Sequence, residues 1–427
     1  MSAPSTSNHP ASGLHTNAAA LTPDETLAER RELRRRRRTA LLLVAPLLAF
    51  VLFAFFAPIA NMLYRSAYNP TLAELIPQTL EHLSQWGEAP LPSTETYASM
   101  AAELKKLSAD RKAGVLAAAV NQAYPGASSL INSSARRMRN LEEGVAPDQA
   151  ADTLRQADGR WNEPDLWRAI ERSGQLYTLT HYLTALDLER NQQGEIVQRE
   201  SARIYVQLYS RTLGMALAIT LMCVALGYPL AYYLCRAPQR VAGMLMILVL
   251  LPFWTSLLAR TTAWIALLQP HGIVNSVLLS LGIVRQPLEL LYTGLATVIV
   301  MTHILLPFMI LPLYSVMRGI DPAYARAAQS LGSTPWSAFW RVFLPLSMPG
   351  LSAGALLVFI ISIGYYIIPA LVGGTDGQMI SNIIAFHMQR SNNWGLAAAL
   401  GTLLLIVIVI LYWVYDRLVG ARNLRLA

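Results

Sequence analysis

Six stretches of mostly apolar residues constrain the fold of this 427-residue chain more than any other feature. A helix needs about 20 apolar residues to cross a hydrocarbon core of about 30 Å. After Ser201 the chain contains only four acidic residues, Glu289, Asp321, Asp376 and Asp416. The pattern predicts an all-α membrane protein with six transmembrane helices near Ala40–Leu63, Thr212–Leu234, Val241–Leu268, Leu295–Met317, Leu351–Val372 and Leu396–Tyr415.

The third apolar stretch is too long for one straight transmembrane helix. It contains Pro252 and, soon after it, the polar residues Thr255, Ser256 and Arg260. Proline removes a helical hydrogen bond, and irregular backbone at membrane depth occurs where it lines a cavity. We therefore expect a kink or a break that faces a cavity. In the alternative interpretation, Arg260 extends to the outer membrane interface.

Arginines beside the apolar stretches predict the orientation of the chain in the membrane. The run Arg34–Arg38 directly precedes the first stretch, and positively charged short segments remain in the cytoplasm. Six crossings then place both termini in the cytoplasm, in agreement with Arg417, Arg422 and Arg425. A nucleic-acid-binding patch is the alternative for the arginine run, but its place beside a long apolar stretch argues against a nucleic-acid partner.

These features divide the chain into four segments. Residues 1–39 form a basic tail, predicted to be disordered from its Ser, Ala, Pro and Asn content. Residues 40–64 form the first transmembrane helix, and residues 65–205, which we call the insert, form an extracytoplasmic segment. Residues 206–427 contain the other five transmembrane helices.

The insert has the apolar periodicity of helices. Met100, Leu104 and Leu107 fall on one helical face, and Pro147 and Pro164 stand where helices can begin. A further amphipathic helix or helix pair is indicated by Leu166, Ile170, Leu176, Leu179, Leu183 and Leu186. We expect an all-helical insert that serves either as a docking platform for a soluble binding protein or as a lid packed on the membrane helices.

A loop at residues 318–345, predicted to be cytoplasmic, contains strong helix boundary signals. Asp321 can cap a helix that starts at Pro322, and Gly332 can end it in a left-handed conformation. Thr334 and Pro335 repeat the start signal. Small side chains between these signals would let the surface of a partner come close, so the loop is predicted to dock a cytoplasmic ATPase.

The chain lacks the motifs of an enzyme. Lysine occurs only at Lys105, Lys106 and Lys112, and none belongs to a phosphate-binding loop, so ATP hydrolysis must come from a partner. Cys223 and Cys235 indicate neither a disulfide framework nor a metal cluster, and no cofactor or metal is expected. His303, inside the fourth stretch, is either a proton relay or, as we favour, a hydrogen-bonded interhelical residue.

The chain resembles the permeases of binding-protein-dependent ABC transporters, in particular the spermidine/putrescine branch. The resemblance covers the first span and roughly Ser201 to the C-terminus. It is carried by the Ala327-Ala328, Gly332, Pro345 and Pro349-Gly350 signature and by Pro252-Phe-Trp-Thr-Ser256, Arg260-Thr-Thr-Ala-Trp264, Leu306-Pro-Phe-Met-Ile-Leu-Pro-Leu-Tyr314 and Ile368-Pro-Ala-Leu-Val-Gly-Gly374. The family usually has Glu where this chain has Arg326.

The resemblance implies a permease subunit of an ABC importer that forms the pathway for a small cation such as a polyamine. Its implied partners are a second, different permease subunit, two ATPase subunits, a periplasmic binding protein and the lipid bilayer. The implied ATPase-coupling residues are Asp321, Arg326, Ala327, Ala328, Leu331, Gly332 and Pro345.

A polycation gains from carboxylates and aromatic faces along its path. The candidate pathway residues are Trp254, Thr255, Arg260, Trp264, Glu289, Tyr365, Tyr366 and Asp376. Two alternatives stay open: a permease for another small solute, such as an amino-acid-like compound or an organophosphonate, and a membrane scaffold or sensor without transport.

Overall fold

The structure is a computed structural model that describes residues 23–87, 89–141, 145–190, 195–199 and 203–417. Residues 1–22 of the predicted tail lie outside this set, as do Arg422 and Arg425. The chain divides between Asn61 and Met62 into two compact units, and each is described by itself.

The first helix, α1 (Pro23–Ala67), runs without interruption from the basic segment into the first apolar stretch. Its part Leu42–Ala67 is long and apolar enough to cross a membrane. Residues 23–39 are thus helical, whereas the sequence predicted disorder up to residue 39. Arginine and glutamate have high helix propensity, so the helix can continue beyond its apolar part.

The insert contains eight short helices within its described residues. They are α2 (Thr71–Leu75), α3 (Pro77–Ser84), α4 (Thr94–Ala109), α5 (Ala113–Asn121), α6 (Ala127–Arg139), α7 (Pro147–Arg155), α8 (Pro164–Ser173) and α9 (Thr180–Ala185). A single 3₁₀ turn at Gly159–Asn162 precedes α8.

The insert has its own hydrophobic core, in which Trp161 and Trp167 are the largest fully buried side chains. Their rings lie 5.2 Å apart. The structure confirms the residues predicted to face inward from α4 and to begin α7 and α8, namely Met100, Leu104, Leu107, Pro147 and Pro164.

The prediction that the insert is entirely helical is wrong. Its last part forms an antiparallel hairpin of β1 (Leu188–Arg190) and β2 (Ile196–Gln198). Asp187, with a φ of 57°, turns the chain out of α9 and into β1. Because α9 has only six residues, the predicted apolar face is not buried as a unit, and Leu176, Leu179 and Leu186 are exposed.

The membrane region, residues 203–417, contains the remaining helices. They are α10 (Tyr205–Arg236), α11 (Gln239–Trp254), α12 (Leu257–Leu268), α13 (Ile273–Ser280), α14 (Gly294–Arg318), α15 (Pro322–Ser330), α16 (Pro335–Ala338), α17 (Leu344–Gly364), α18 (Ile367–Val372), α19 (Ile380–Gln389) and α20 (Trp394–Tyr415). A π-helical turn at Phe339–Phe343 joins α16 to α17.

Six helical segments are long and apolar enough to cross a membrane, judged by length and composition among the described residues, which confirms the predicted number. They are Leu42–Ala67, Tyr205–Arg236, Leu257–Ser280, Gly294–Arg318, Pro335–Gly364 and Trp394–Tyr415. The shorter apolar helix α11 precedes the third of them.

Two predicted spans differ from the observed helices. The break expected near Pro252 is confirmed, because α11 ends at Trp254 and α12 begins at Leu257. The predicted continuous span Leu351–Val372 is wrong, because α17 ends at Gly364 and α18 begins at Ile367. The apolar composition continues across this second break, so hydropathy alone does not reveal it.

Helices α10, α14 and α17 pack against one another in the interior of the membrane region. Small residues bring α17 close to α14: a β-carbon at Gly354 would lie 3.0 Å from the carbonyl oxygen of Met309. Close backbone approach through small residues is the usual way in which helices associate in lipid. The packed interior supports the two broken segments that surround it.

Candidate functional site

The 318–345 loop has the boundaries that the sequence predicted. The Asp321 carboxylate accepts a 2.8 Å hydrogen bond from the Ala323 backbone N–H at the start of α15. Gly332, with a φ of 92°, follows the helix in a left-handed conformation. Thr334 accepts a 3.2 Å hydrogen bond from the Ser337 N–H and caps α16. The two capping hydrogen bonds and the left-handed turn at Gly332 therefore define the shape of the loop through neighbouring residues.

The predicted coupling residues are mostly at the surface of this loop. Leu331 is 89% exposed, although it is a large apolar residue between two helices. Ala327 and Arg326 are exposed, and Ala328 is half-buried. Pro345 lies in the first turn of α17 and is also exposed. The loop thus presents apolar and small side chains that no described residue covers.

An aromatic cluster, which was not predicted from the sequence, joins the loop to α10. The Tyr232 ring lies 5.3 Å from the Phe339 ring and 5.1 Å from the Phe343 ring. The Arg236 guanidinium stacks over Tyr232 at 3.6 Å. The signal was present as aromatic residues at helical spacing, Trp336, Phe339, Trp340 and Phe343. The cluster links the end of α10 to the loop.

The first helix break exposes two of the predicted pathway residues. Trp254 at the end of α11 is 73% exposed, and Thr255 is exposed beside it. Arg260 lies in the first turns of α12, where its Nε atom is buried and has no hydrogen-bond partner among the described residues. The break is therefore followed by a cation in the first turn of an apolar helix.

Trp264 and His303 connect α12 to α14. The Trp264 Nε1–H donates a 3.1 Å hydrogen bond to His303 Nδ1, and the two rings lie 5.5 Å apart. This confirms the favoured interpretation of His303 as an interhelical hydrogen-bonding residue. Because Nδ1 accepts, the proton of a neutral imidazole lies on Nε2.

The second break, at Tyr365 and Tyr366, is held by polar side chains of α19. Ser381 Oγ donates a 2.6 Å hydrogen bond to the Tyr365 carbonyl oxygen. Asn382 Nδ2 donates a 2.7 Å hydrogen bond to the Tyr366 carbonyl oxygen. The Ser381 bond satisfies a carbonyl group that a break in a membrane helix leaves free, and the Asn382 bond adds to the hydrogen bond that the Ala370 N–H donates to the Tyr366 carbonyl. Sequence reasoning missed both side chains, because their partners are distant in the chain.

The two predicted acids, Glu289 and Asp376, are exposed in loops. These loops meet, since a β-carbon at Gly294 would lie 3.5 Å from the Asp376 carbonyl oxygen. Arg211 Nη1 donates a 2.8 Å hydrogen bond to the Thr375 carbonyl oxygen and attaches the second loop to α10. The structure thus brings the segments of both acids to the same end of α14.

The remaining predicted pathway residues are supported by one buried cluster. Trp264 and Tyr365 both pack against the apolar core around Val300, Ile304 and Ile368. Helix α12 contacts α18, so the two helix breaks belong to neighbouring segments. The exposed acids Glu289 and Asp376 lie in loops outside these helices.

The insert carries an open polar groove of about 830 Å³ between the α4–α5 turn and α6. Arg111 and Arg136 line it from opposite sides. Its other polar lining residues are Ser108, Ser128, Ser129, Asn132, Ser133, Asp158 and Arg160. The sequence did not indicate this groove, because its two walls are formed by separate helices.

Comparison with known proteins identifies a family that matches this chain. The model of a family described as the binding-protein-dependent transport system inner membrane component matches residues 224–422, which leaves the insert outside the match. The spermidine/putrescine transport system permease protein PotB of Salmonella typhimurium is 35% identical over 222 residues, 51% of this chain and 77% of that protein. PotB of Escherichia coli is 36% identical over 51% of this chain and 81% of its own length.

More distant similarities extend to other transporters. The molybdenum transport system permease protein ModB of Mycobacterium bovis is 31% identical over 45% of this chain and 71% of its own length. A solved bacterial ABC transporter involved in the import of the acidic polysaccharide alginate is 17% identical, with 51% of this chain and 79% of that chain covered and a TM-score of 0.43.

Proposed function

The chain belongs to the inner-membrane permeases of binding-protein-dependent ABC transporters, in the spermidine/putrescine branch, and from this premise we propose that it is the pathway-forming subunit of a polyamine importer. It is a multi-pass inner membrane protein, with both termini and the 318–345 loop in the cytoplasm and the insert on the opposite side. A separate ATPase supplies the energy.

The observation that carries this proposal is the exposed 318–345 loop. Its two short helices are capped by Asp321 and Thr334, and they hold the exposed Leu331 away from the membrane helices. Tyr324 and Trp336 in the same loop are 58% and 71% exposed, and clustered exposed apolar side chains mark sites of protein interaction. The aromatic cluster would transmit movement of an ATPase on this loop to α10.

Polyamine as the substrate is supported by the named relatives and by the chemistry of two groups of residues. Glu289 and Asp376 offer carboxylates at the proposed outer end of the pathway, and Trp254 and Tyr366 offer exposed aromatic faces near the helix breaks. Ammonium groups gain free energy from both kinds of contact. Two acids on neighbouring loops suit a substrate with more than one positive charge.

We assign the insert to docking of the periplasmic binding protein rather than to a lid. Its own core would keep it folded while one of its faces contacts a partner. The polar groove with Arg111 and Arg136 gives that face hydrogen-bonding groups and positive charge. A lid would instead bury much of its surface against the membrane helices.

The test is to reconstitute the chain with its second permease and its ATPase in lipid vesicles and to add the binding protein loaded with spermidine. We expect ATP hydrolysis to rise and labelled spermidine to enter the vesicles. Amino-acid-like compounds and organophosphonates serve as competing solutes, and preference for one of them would change the substrate assignment. If no ATPase associates with the purified chain, the scaffold or sensor alternative replaces transport.

A further inference from the structure

The positive charge of Arg260 has no counter-charge within the described membrane region. Its Nε atom is buried and makes no hydrogen bond. None of the six candidate spans contains Asp or Glu. The region's four acids lie outside the candidate spans, and no ion pair forms among residues 203–417. Charged side chains at membrane depth pair with other groups or face water, so the chain leaves this cation to be balanced from outside.

The position of Arg260 makes an unbalanced charge unfavourable, because the residue lies within an apolar segment. Helix α11 has 16 residues, so it rises about 24 Å, which is less than the about 30 Å of a hydrocarbon core. Arg260 follows in the first turns of α12, with apolar sequence on both sides. Arg260 thus lies one turn inside the candidate span Leu257–Ser280 rather than in a polar loop.

The helices around Arg260 are only partly covered by the rest of the chain. In α11 no residue is buried, and in α12 only Thr261 and Leu268 are buried. Leu258, two residues before Arg260, is 57% exposed. Lipid tails can cover the apolar side chains, but they cannot neutralise a guanidinium.

The chemistry next to Arg260 favours a carboxylate as the missing group. One helical turn further, Trp264 donates to His303, which leaves His303 with its proton on Nε2. The site thus offers a positive charge and N–H donors. A carboxylate accepts hydrogen bonds from both and matches the planar guanidinium with two oxygen atoms.

The proposed pathway for a cation also lacks a carboxylate within the candidate spans. A pathway for a polycation needs carboxylates along its length, yet the candidate spans of this chain contain none. One carboxylate supplied by a neighbouring subunit would satisfy both Arg260 and the substrate. A second copy of this chain cannot supply it from a span, because its spans contain no acid either.

We propose that Arg260 forms an ion pair with an Asp or Glu in a membrane span of a different permease subunit, across the exposed face of α11 and α12, and that substrate ammonium groups displace Arg260 from it. The proposal rests on the proposed function, since it assumes a permease pair and a cationic substrate. It explains how a pathway for cations can contain an arginine.

The test uses the complete complex and measures its assembly, which requires no substrate. Arg260→Glu places two acids opposite each other, and we expect at least a tenfold loss of the second permease recovered with the tagged chain. Each Asp or Glu in the spans of the second permease is then changed to Arg in the Arg260→Glu background. One of these changes should restore recovery to within about twofold of the parental complex.

Matched variants separate the ion pair from general damage. Arg285→Glu, at an exposed position between α13 and α14, makes the same charge change and should leave recovery unchanged. If Arg260→Glu fails to reach the membrane, Arg260→Gln replaces it, and Asp→Asn or Glu→Gln at the matching position of the second permease should restore recovery.

Three results would overturn the proposal: unchanged recovery with Arg260→Glu, no restoration by any acid of the second permease, or a loss that vanishes in nanodiscs without anionic lipid. The last result would identify lipid phosphate as the counter-charge. A complex that assembles through Arg260 but does not transport spermidine would instead contradict the proposed function and leave the ion pair intact.

Discussion

In the insert, Trp161 and Trp167 lie fully buried in one apolar core, and ion pairs such as Asp158 with Arg160 stand at its surface. In the membrane region, no ion pair forms among residues 203–417, and large apolar side chains point outward from the spans, with Leu221 58% and Ile410 54% exposed. The two regions therefore differ in where they place apolar side chains and in whether they form ion pairs.

Hydroxyl groups do not follow this contrast. In the spans, Thr212, Thr220 and Thr402 each donate a 2.7 Å hydrogen bond to the carbonyl oxygen four residues earlier in their own helix. In the insert, Ser134 Oγ accepts a 2.8 Å hydrogen bond from Trp161 Nε1 on another segment. Both regions therefore use polar side chains in both ways: in the insert Ser133 Oγ donates to the Leu130 carbonyl oxygen of its own helix, and in the membrane region Ser381 Oγ joins α19 to the Tyr365 carbonyl oxygen.

The largest expected effect is in the core of the insert. Trp161→Ala removes a fully buried ring and its hydrogen bonds, and such substitutions destabilise by about 3 to 5 kcal/mol. We expect the insert to become sensitive to protease on the outer face of spheroplasts while the chain still inserts into the membrane. Leu179→Ala, at a 61% exposed site, is the matched control and should retain parental resistance. Loss of membrane insertion by Trp161→Ala would show that the two regions do not fold separately.

A second test compares two glycines with left-handed backbone. Gly332→Val in the 318–345 loop and Gly282→Val after α13 both force a branched residue into positive φ, which costs about 1 to 2 kcal/mol or more. Neither site has an atom within 4 Å of an added β-carbon, so the strain is of the same kind. Only Gly332→Val should release the ATPase and abolish uptake.

Replacing Ala328 tests the same loop surface with a different change. Ala328→Asp adds a charge at a half-buried position and should also reduce ATPase recovery without changing membrane insertion. Normal uptake and ATPase retention in both Gly332→Val and Ala328→Asp would contradict the coupling role of the loop.

The loop acids of the membrane region should have an intermediate effect. Glu289→Gln and Asp376→Asn remove carboxylates that are exposed, so the fold should be unchanged while spermidine uptake slows several-fold. Asp416→Asn, at the other end of the membrane region, is the control. Parental uptake rates in both acid variants would identify Glu289 and Asp376 as solvated loop charges without a role in the pathway.

The smallest expected effect is a dependence of the stability of the insert on pH. The hydrogen bond from Arg160 holds the pKa of the Asp158 carboxyl below its ordinary value. The pair therefore stabilises the insert above the ordinary carboxyl pKa of about 4, and this contribution disappears as pH falls through the lower pKa of the folded state. Both side chains are partly exposed, so the contribution is about 0.2 to 1 kcal/mol.

Asp158→Asn should accordingly lower the resistance of the insert to protease at neutral pH, and its effect should disappear as pH falls through the lowered folded-state pKa of Asp158. Asp152→Asn, which removes a partner that is 63% exposed, should change resistance less. An equal difference between Asp158→Asn and the parent at all pH values would show that the Asp158–Arg160 ion pair does not contribute through its charge.

Much of the membrane region could be predicted from the sequence because its signals are local. Span number follows from apolar length, and the loop boundaries follow from Asp321, Pro322 and Gly332, whose caps and φ angle depend on the adjacent backbone. The break after Trp254 could also be predicted, because Pro252 and the following polar residues interrupt the apolar sequence locally.

The features that were missed depend on residues far apart in the chain. The break at Tyr365 lies in apolar sequence and is stabilised by Ser381 and Asn382, which only folding brings to it. The hairpin begins at Leu188, just after Leu186, the last residue of the predicted amphipathic helices, and the turn at Asp187 leads into it.

By itself the sequence determined where the chain enters lipid and where its helices start and stop, because transfer free energy and capping act on neighbouring residues. Tertiary structure alone decided which polar groups meet. It paired Trp264 with His303, and it left Arg260 without a partner in the described membrane region. Side-chain contacts across helices depend on packing, which apolar composition does not specify.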